Sequence, residues 1–585
     1  MRFLRMLTNS LLAGVLGAAY LAIVVLQLNP HVPLASVTPW WWLVTLGALY
    51  GVHIAVACYV MIVGREFFAM DIMSPGWASV RVLAWLAAAL AAGASVLMWF
   101  NVRGFESALG VDAARRMTAG AVATSASAVV LLAIAVLHFS FGRRGSRVGA
   151  SLFTLAVVAS LVLPIVARGA GGGESAAAVP WTSSSLEGAG APDGPRVTLI
   201  ALDGASLAYI LPRAAEGRLP NFSRVIEGGA GIDLASIRPT QPDPVWATVA
   251  TGIYPSHSGV RSAARYYATR DGRGIDLLPD YCLSHALVHF GFVRDAPRLS
   301  AEWEARPIWG VLSDAGVSSG VVRWPLTHPA QPARGFIVSD RFHQFTGSIT
   351  EFERAAYPPG LLNSLQAASA DTFSSSDGGA GFAPGSPEAS ALQRDLLYSR
   401  MARALRAERN PRFLSLRYEG LDTVGHYYLR YAQASTPRGV PEADRRRLAQ
   451  VIERYYAFID GEVGAAIDGM TPGDLLVVVS GFGMHRLNDV KRMLARALGD
   501  PDFSGTHDRA PDGFLLAYGS AVERGRHQRG SIVDVTPTLL YFFGLPVAQD
   551  MDGFARADLF TRAFTAERPI TFIPSYRGQP PFDLK

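Results

Sequence analysis

A few side chains stand where an apolar run gives way to a loop, and they carry the chemistry of metal ligation. Asp203 directly follows the run VTLIAL, and Gly204 after it permits a sharp turn. Asp422 and His426 follow the run FLSLRY within YEGLDTVGHYY; four residues apart, they fall on one face if the segment is helical. His507, in GTHDRAPDG, precedes the run GFLLAYG. Carboxylate and imidazole are both good zinc ligands, so separate strand ends supplying Asp, Asp/His and His point to a metal site. Each residue also has a plainer reading, and for Asp203 that is a helix N-cap.

The elements that must position these residues follow from hydrophobic patterning. Strand-like runs (VTLIAL, SSGVVRW, FLSLRY, DLLVVVS, GFLLAY) alternate with helical patterns from Leu207, across VWATVATG, near Ala389–Ala407, near Pro441–Ile467 and from Val533. The β-branched runs are short and uninterrupted, as expected of strands covered on both faces. The spacing therefore predicts an α/β sheet sandwiched by helices, with any site at the carboxyl ends of the strands.

Ahead of this lies a different solvent regime. The chain is 50% hydrophobic and 17% charged, but the apolar excess is concentrated before residue 169, in stretches of the ~20 residues needed to span a bilayer. Spans are expected at Leu11–Leu28, Trp40–Val63, Val82–Phe100, Ala119–Phe141 and Val148–Val166, an all-α transmembrane bundle over residues 1–168. Arg2 and Arg5 precede the first run as in a signal peptide, yet no small-residue cleavage site leads into a soluble domain, so it reads as a retained span. Arg2, Arg5, Arg65, Arg81, Arg143, Arg144 and Arg147 outweigh Arg103, Arg115 and Arg116 in the opposite loop. By the positive-inside rule the expected protein is multi-pass in the inner membrane, with everything after Arg168 extracytoplasmic. Residues 169–195 are Gly/Ala/Ser-rich and read as a flexible linker, leaving 196–585 as the globular domain. His53, within the second span, reads as a satisfied packing residue.

A net charge of +5 without a basic, aromatic-interleaved block excludes a nucleic-acid partner. Cys58 and Cys282 lie in different environments, which argues against a disulfide or a cysteine metal site.

Over residues 195–577 the sequence resembles the type I phosphodiesterase/nucleotide pyrophosphatase branch of the alkaline phosphatase superfamily. The motifs that carry the resemblance are LDGA with Asp203, PVWATVATGIYP at Pro244–Pro255, RPIWGVLSDAG at Arg306–Gly316, WPLTHPAQPARGFIVSD at Trp324–Asp340, YEGLDTVGHYY at Tyr418–Tyr428 and IVDVTPTLLYFFGLPVAQDMDG at Ile532–Gly553. The resemblance implies an alkaline-phosphatase-like fold and phosphoryl chemistry on a zinc pair, whose two ions clamp the entering and leaving oxygens. Residue by residue, one zinc site matches Asp422, His426 and His507. The other departs from the pattern: Asp203 remains, but the expected Asp-His pair is Gly481–Phe482, and Pro242 stands at the nucleophile position. Thr240, two residues upstream, could serve only if the loop were reshaped. Asp243–Pro244 reads as an N-cap with a first-turn proline, placing a carboxylate where the family binds phosphate. His257 is offset by one place from the family's usual His, and His485 or Asp489 would have to swing in to rebuild the second site.

One zinc ion is therefore expected, and functions of different classes stay open. A non-catalytic domain would bind a phosphate-containing envelope or lipid ligand, or a protein partner in the membrane. A hydrolase would use the single metal site, with one open coordination position to activate water. A phosphotransferase would act on lipid head groups or envelope glycans.

Overall fold

The computed structural model describes residues 2–68, 79–141, 147–171, 194–269, 273–279, 282–344, 348–374, 382–432, 442–497, 499, 502–508 and 510–577. Most of the expected linker, together with Arg143 and Arg144, lies outside the described residues. The chain divides into two compact units, Met1–Ala177 with Ala264–Pro297, and Ala178–Ala263 with Arg298–Lys585.

The first unit contains α1 (Arg2–Leu28), α2 (Thr38–Leu46), α3 (Val52–Phe68), α4 (Val80–Gly104), α5 (Val111–Phe141) and α6 (Arg147–Arg168). A π-helical turn at Gly47–Gly51 joins α2 to α3, so one span runs from Thr38 to Arg65. Among the described residues, five helices are long and apolar enough to cross a membrane, in the places the hydropathy pattern predicts. At the π-turn, His53 Nδ1 lies 2.6 Å from the Leu49 carbonyl, which satisfies an imidazole in an apolar span. Arg168 donates to the carbonyls of Leu26, Asn29 and Val32 at 2.7, 2.7 and 2.6 Å, supplying donors to the carbonyl end of α1.

Sequence order predicts one contiguous globular domain from residue 196, and the structure corrects this. The hairpin of β3 (Ala264–Ala268) and β4 (Val293–Pro297) belongs to the helical unit. Asn29, at the end of α1, accepts from the amides of Asp276 and Leu277 at 3.0 Å and donates to the Leu277 carbonyl at 2.8 Å. Ile275, Leu278, Leu287 and Val293 complete an apolar cluster with Val25, Leu26, Trp42 and Leu46. A buried amide with both its donor and acceptor used fixes the segment there.

The second unit is built on a ten-stranded mixed sheet. Before the hairpin come β1 (Val197–Leu202) and β2 (Ala230–Ala235); after it come β5 (Ser319–Val322), β6 (Gly335–Val338), β7 (Ala356–Tyr357), β8 (Phe413–Tyr418), β9 (Leu475–Phe482), β12 (Asp512–Tyr518), β13 (Gly525–Arg526) and β14 (Gly530–Ser531). The order is β13-β2-β12-β9-β1-β8-β5-β6-β7, with β14 also on β2. The strands β9-β1-β8-β5-β6 are parallel, while β12 and β7 run antiparallel to their neighbours. A separate two-stranded pair, β10 (His485–Arg486) and β11 (Gly505–Thr506), lies on the excursion between β9 and β12. Alternate residues of β1 enter opposite cores, Ile200 and Leu202 on one face and Val197, Leu199 and Ala201 on the other. This is the helix-covered α/β sheet that the uninterrupted apolar runs predict.

Candidate metal centre

The helix Gly420–Ala432 begins two residues after β8, and its pitch sets Asp422 and His426 on one face, with Asp422 Oδ2 3.3 Å from His426 Nε2. The β10–β11 excursion returns His507 to the same place. Asp422, His426 and His507 each offer a ligand atom within 4.8 Å of the others. Gly204, at φ +69°, lets the end of β1 come this close: a Cβ there would meet Asp422 Cα at 3.2 Å.

The imidazoles are oriented from behind. His426 Nδ1 lies 2.8 Å from the Gly505 carbonyl and His507 Nδ1 2.7 Å from the Thr240 carbonyl. A carbonyl only accepts, so Nδ1 carries the proton in both rings and Nε2 is left as the ligating nitrogen, the usual arrangement around a protein-bound metal. Nε2 of His426 then faces a carboxylate oxygen at 3.3 Å, acceptor against acceptor, which calls for a cation or a further proton between them. Asp422 Oδ1 is buried without a hydrogen-bond partner, an expensive condition for a carboxylate unless an ion completes it. Burial would raise the Asp422 acid, but with the two imidazoles protonated and no metal between them the His426 hydrogen bond and the charges of His426, His507 and Arg417 hold it below its ordinary range. These residues fit a divalent metal.

Asp203 stands outside that set, which revises its expected role as a ligand. It is fully buried, and its oxygens accept from Trp246 Nε1 at 2.5 Å, Arg417 Nε at 3.1 Å and an Arg417 terminal nitrogen at 2.5 Å. Burial pushes its acid up to about 6 despite Arg417, with Asp422 and Glu419 adding to the rise. Arg417 is held charged by Asp203 and Glu419 against its own burial. The cation beside Asp203 is a guanidinium of this chain.

The remaining expected positions are occupied. A Cβ on Gly481 would lie 2.2 Å from Val245 Cγ1, and Phe482 is buried with its ring 5.4 Å from that of His507. Pro242 is the first residue of the helix Pro242–Thr251, whose N-cap is Gln241. Asp243 therefore lies in the first turn and is not the cap. Thr240 is buried and donates its hydroxyl to the Ile237 carbonyl at 2.9 Å. His485 is engaged by the carbonyls of Arg486 and Asp508, and Asp489 is exposed and pairs with Arg492 at 2.8 Å. His257 Nδ1 faces Asp552 at 3.2 Å.

Sequence reasoning missed the charge network beneath this site. Arg323, at φ 59°, pairs with Asp395 and, at 3.0 Å, with Glu419. Asp395 also accepts from Tyr455 Oη at 2.8 Å and the Gly420 amide at 3.1 Å, fixing the start of the helix that carries Asp422. The available signal was a basic residue within or directly after an apolar strand, Arg417 inside β8 and Arg323 one residue past β5.

A mixed sheet with helices on both faces and an Asp/His/His centre at its strand ends is the arrangement that a resemblance to the alkaline phosphatase superfamily implies. A family model for type I phosphodiesterase/nucleotide pyrophosphatase matches residues 197–530, more than half of the chain, and the chain belongs to that family. No curated protein matches it.

Proposed function

We propose that this is a membrane-anchored, extracytoplasmic member of the family that holds one zinc ion on Asp422, His426 and His507. It binds a phosphate-bearing envelope or lipid ligand without two-metal phosphoryl transfer. The observation that carries this reading is the Arg417–Asp203 pair, an internal cation that uses both oxygens of the carboxylate left over from the second site. When bound, the metal supplies a Lewis-acid contact for a phosphate oxygen. The chain's own residues do the rest: the Gly505 and Thr240 carbonyls fix the imidazole tautomers, Asp422 supplies the anionic donor, and Arg417 keeps a positive charge beside them. Thr240 spends its hydroxyl proton on Ile237, and Pro242 has no hydroxyl to offer. An extracytoplasmic location is supported by the excess of Arg in the alternate short loops.

A second reading, slow single-metal hydrolysis, is favoured by the donor count, since three protein ligands are the complement typical of catalytic rather than structural zinc. Both readings are tested on the purified full chain by zinc content, binding of a phosphodiester, and turnover of a generic phosphodiester and phosphomonoester, beside His426→Ala and Thr240→Ala. Zinc-dependent turnover lost in His426→Ala would establish the hydrolase and remove the binding-only reading. Zinc-dependent binding without turnover is the expected result. A phosphatase reporter fused after Arg168 should be active, and a silent fusion would reverse the topology.

A further inference from the structure

Arg417 has more to give than Asp203 takes. A guanidinium carries five N–H donors in a fixed plane. Asp203 occupies one edge of it, accepting from Nε at 3.1 Å and from the terminal nitrogen Nη2 at 2.5 Å. With two of the five donors used, three are left, both on Nη1 and the second on Nη2. Among the described residues Asp203 is the only hydrogen-bond or ion-pair partner of Arg417, and Nη1 is not one of the buried nitrogens left unsatisfied. The 6% of the side chain that stays exposed therefore includes Nη1. The neighbouring Arg323 has no such reserve, since one terminal nitrogen goes to Asp395 and the other to Glu419.

The unused fork belongs to the neighbourhood of the metal centre. Arg417 lies on β8, the strand that leads into the helix carrying Asp422, and its charge acts on Asp422. Its charge also meets that of Asp243, in the first turn of the helix Pro242–Thr251. A helix start ordinarily cradles an anion with its amides, but this one is poor in donors. Pro242 and Pro244 have no N–H, and the Val245 amide donates to the Gln241 carbonyl at 3.1 Å. Of the first three residues only Asp243 has an amide proton, and the guanidinium supplies the donors that the helix lacks.

We propose that the free fork of Arg417, beside the Asp422, His426 and His507 centre, is the anion-recognition element of this site and selects a singly charged phosphodiester. A planar fork matches the oxygens of a phosphate. Charge then sets the class of ligand: Glu419 and Asp243 bear on Arg417, and Asp340 feels its field. Carboxylates on that side oppose a second negative charge, which disfavours the dianion of a phosphomonoester. A diester keeps two unesterified oxygens, enough for the fork and the metal site together. This assignment rests on the ligand-binding reading given above.

The test measures calorimetric binding of diethyl phosphate and ethyl phosphate to the zinc-loaded full chain at pH about 7.5, where the monoester, with a second pKa of about 6, is mostly a dianion. Diethyl phosphate should bind more tightly than ethyl phosphate. Arg417→Met combined with Asp203→Leu removes the fork together with the charge it neutralises; it should keep one zinc ion and weaken diethyl phosphate by about tenfold or more. Arg417→Lys keeps a cation for Asp203 but has no fork, and it should show the same loss with its zinc retained. Undiminished binding of diethyl phosphate in either zinc-loaded variant overturns the role of Arg417. Equal or tighter binding of ethyl phosphate by the parent overturns the selection of a diester. A parent that takes up zinc and binds neither ester overturns the ligand-binding reading itself, so the two failures are distinguished by the parent's own titration.

Discussion

Arg417 Nε lies 3.1 Å from both carboxylate oxygens of Asp203, and the pair is almost completely withdrawn from solvent, at 6% and 0% side-chain exposure. Removing one partner of such a pair leaves a bare buried charge and costs about 3–5 kcal/mol, whereas replacing both with apolar groups is close to neutral. Arg417→Met should lower the thermal midpoint of the full chain sharply, and adding Asp203→Leu should restore most of the loss. Additive losses in the double variant would mean that the two side chains are not energetically coupled.

The metal centre makes a prediction of number. The full chain should bind one zinc ion, lose it in His426→Ala or His507→Ala, and keep it in Asp203→Asn, because Asp203 is committed to Arg417 and Trp246. At a hundredfold excess over the dissociation constant, zinc should stabilise the parent by about 2.7 kcal/mol and leave the histidine variants unmoved. Binding should weaken as pH falls, since protons compete for the imidazoles. Metal analysis of each variant decides this, and two ions per parent chain would sink the single-site reading.

Much of this was legible in the sequence, for identifiable reasons. Periodicity located β1, β5, β8, β9, β12 and the membrane helices because burial on both faces, or in lipid, leaves a continuous apolar run, but it passed over the short strands β2 and β6. Asp422 and His426 were legible because their spacing matches the helix pitch. Arg417 was not read as a site residue, since nothing local says that a strand's one basic side chain will meet Asp203 from another strand, 214 positions away in the chain. The hairpin at 264–297 was missed for a similar reason: its partner is Asn29, 248 residues from Leu277. Gly481 and Phe482 showed from sequence what was lost, but not that Val245 had taken the space.

That replacement is itself testable. Val245 Cγ1 would lie 2.2 Å from a Cβ on Gly481, closer than any real contact. Gly481→Ala should therefore destabilise the chain by about 1–3 kcal/mol, the usual cost of overpacking a filled core. Val245→Ala should relieve much of that penalty in the double variant. If Gly481→Ala unfolds at the parent's midpoint, the strand end has more room than the structure gives it.

The last prediction concerns Asp243, in the first turn of the helix Pro242–Thr251, where the helix dipole favours an anion. Burial raises its acid to about 7; Arg417 opposes the shift, and Asp340, Glu419 and Asp203 add to it. Because the folded state holds this proton to a higher pH than the unfolded chain, the contribution to stability is full below about 4, the unfolded value. It is lost as pH rises through 7. The same titration sets the charge of the cleft: neutral Asp243 tolerates an anionic ligand, and ionised Asp243 repels it. At saturating zinc, a phosphodiester, whose own charge is constant across this range, should bind the full chain more weakly at pH 8 than at pH 6. Asp243→Asn should flatten that dependence while leaving zinc stoichiometry at one. A profile that keeps its slope in Asp243→Asn would assign the titration to another group.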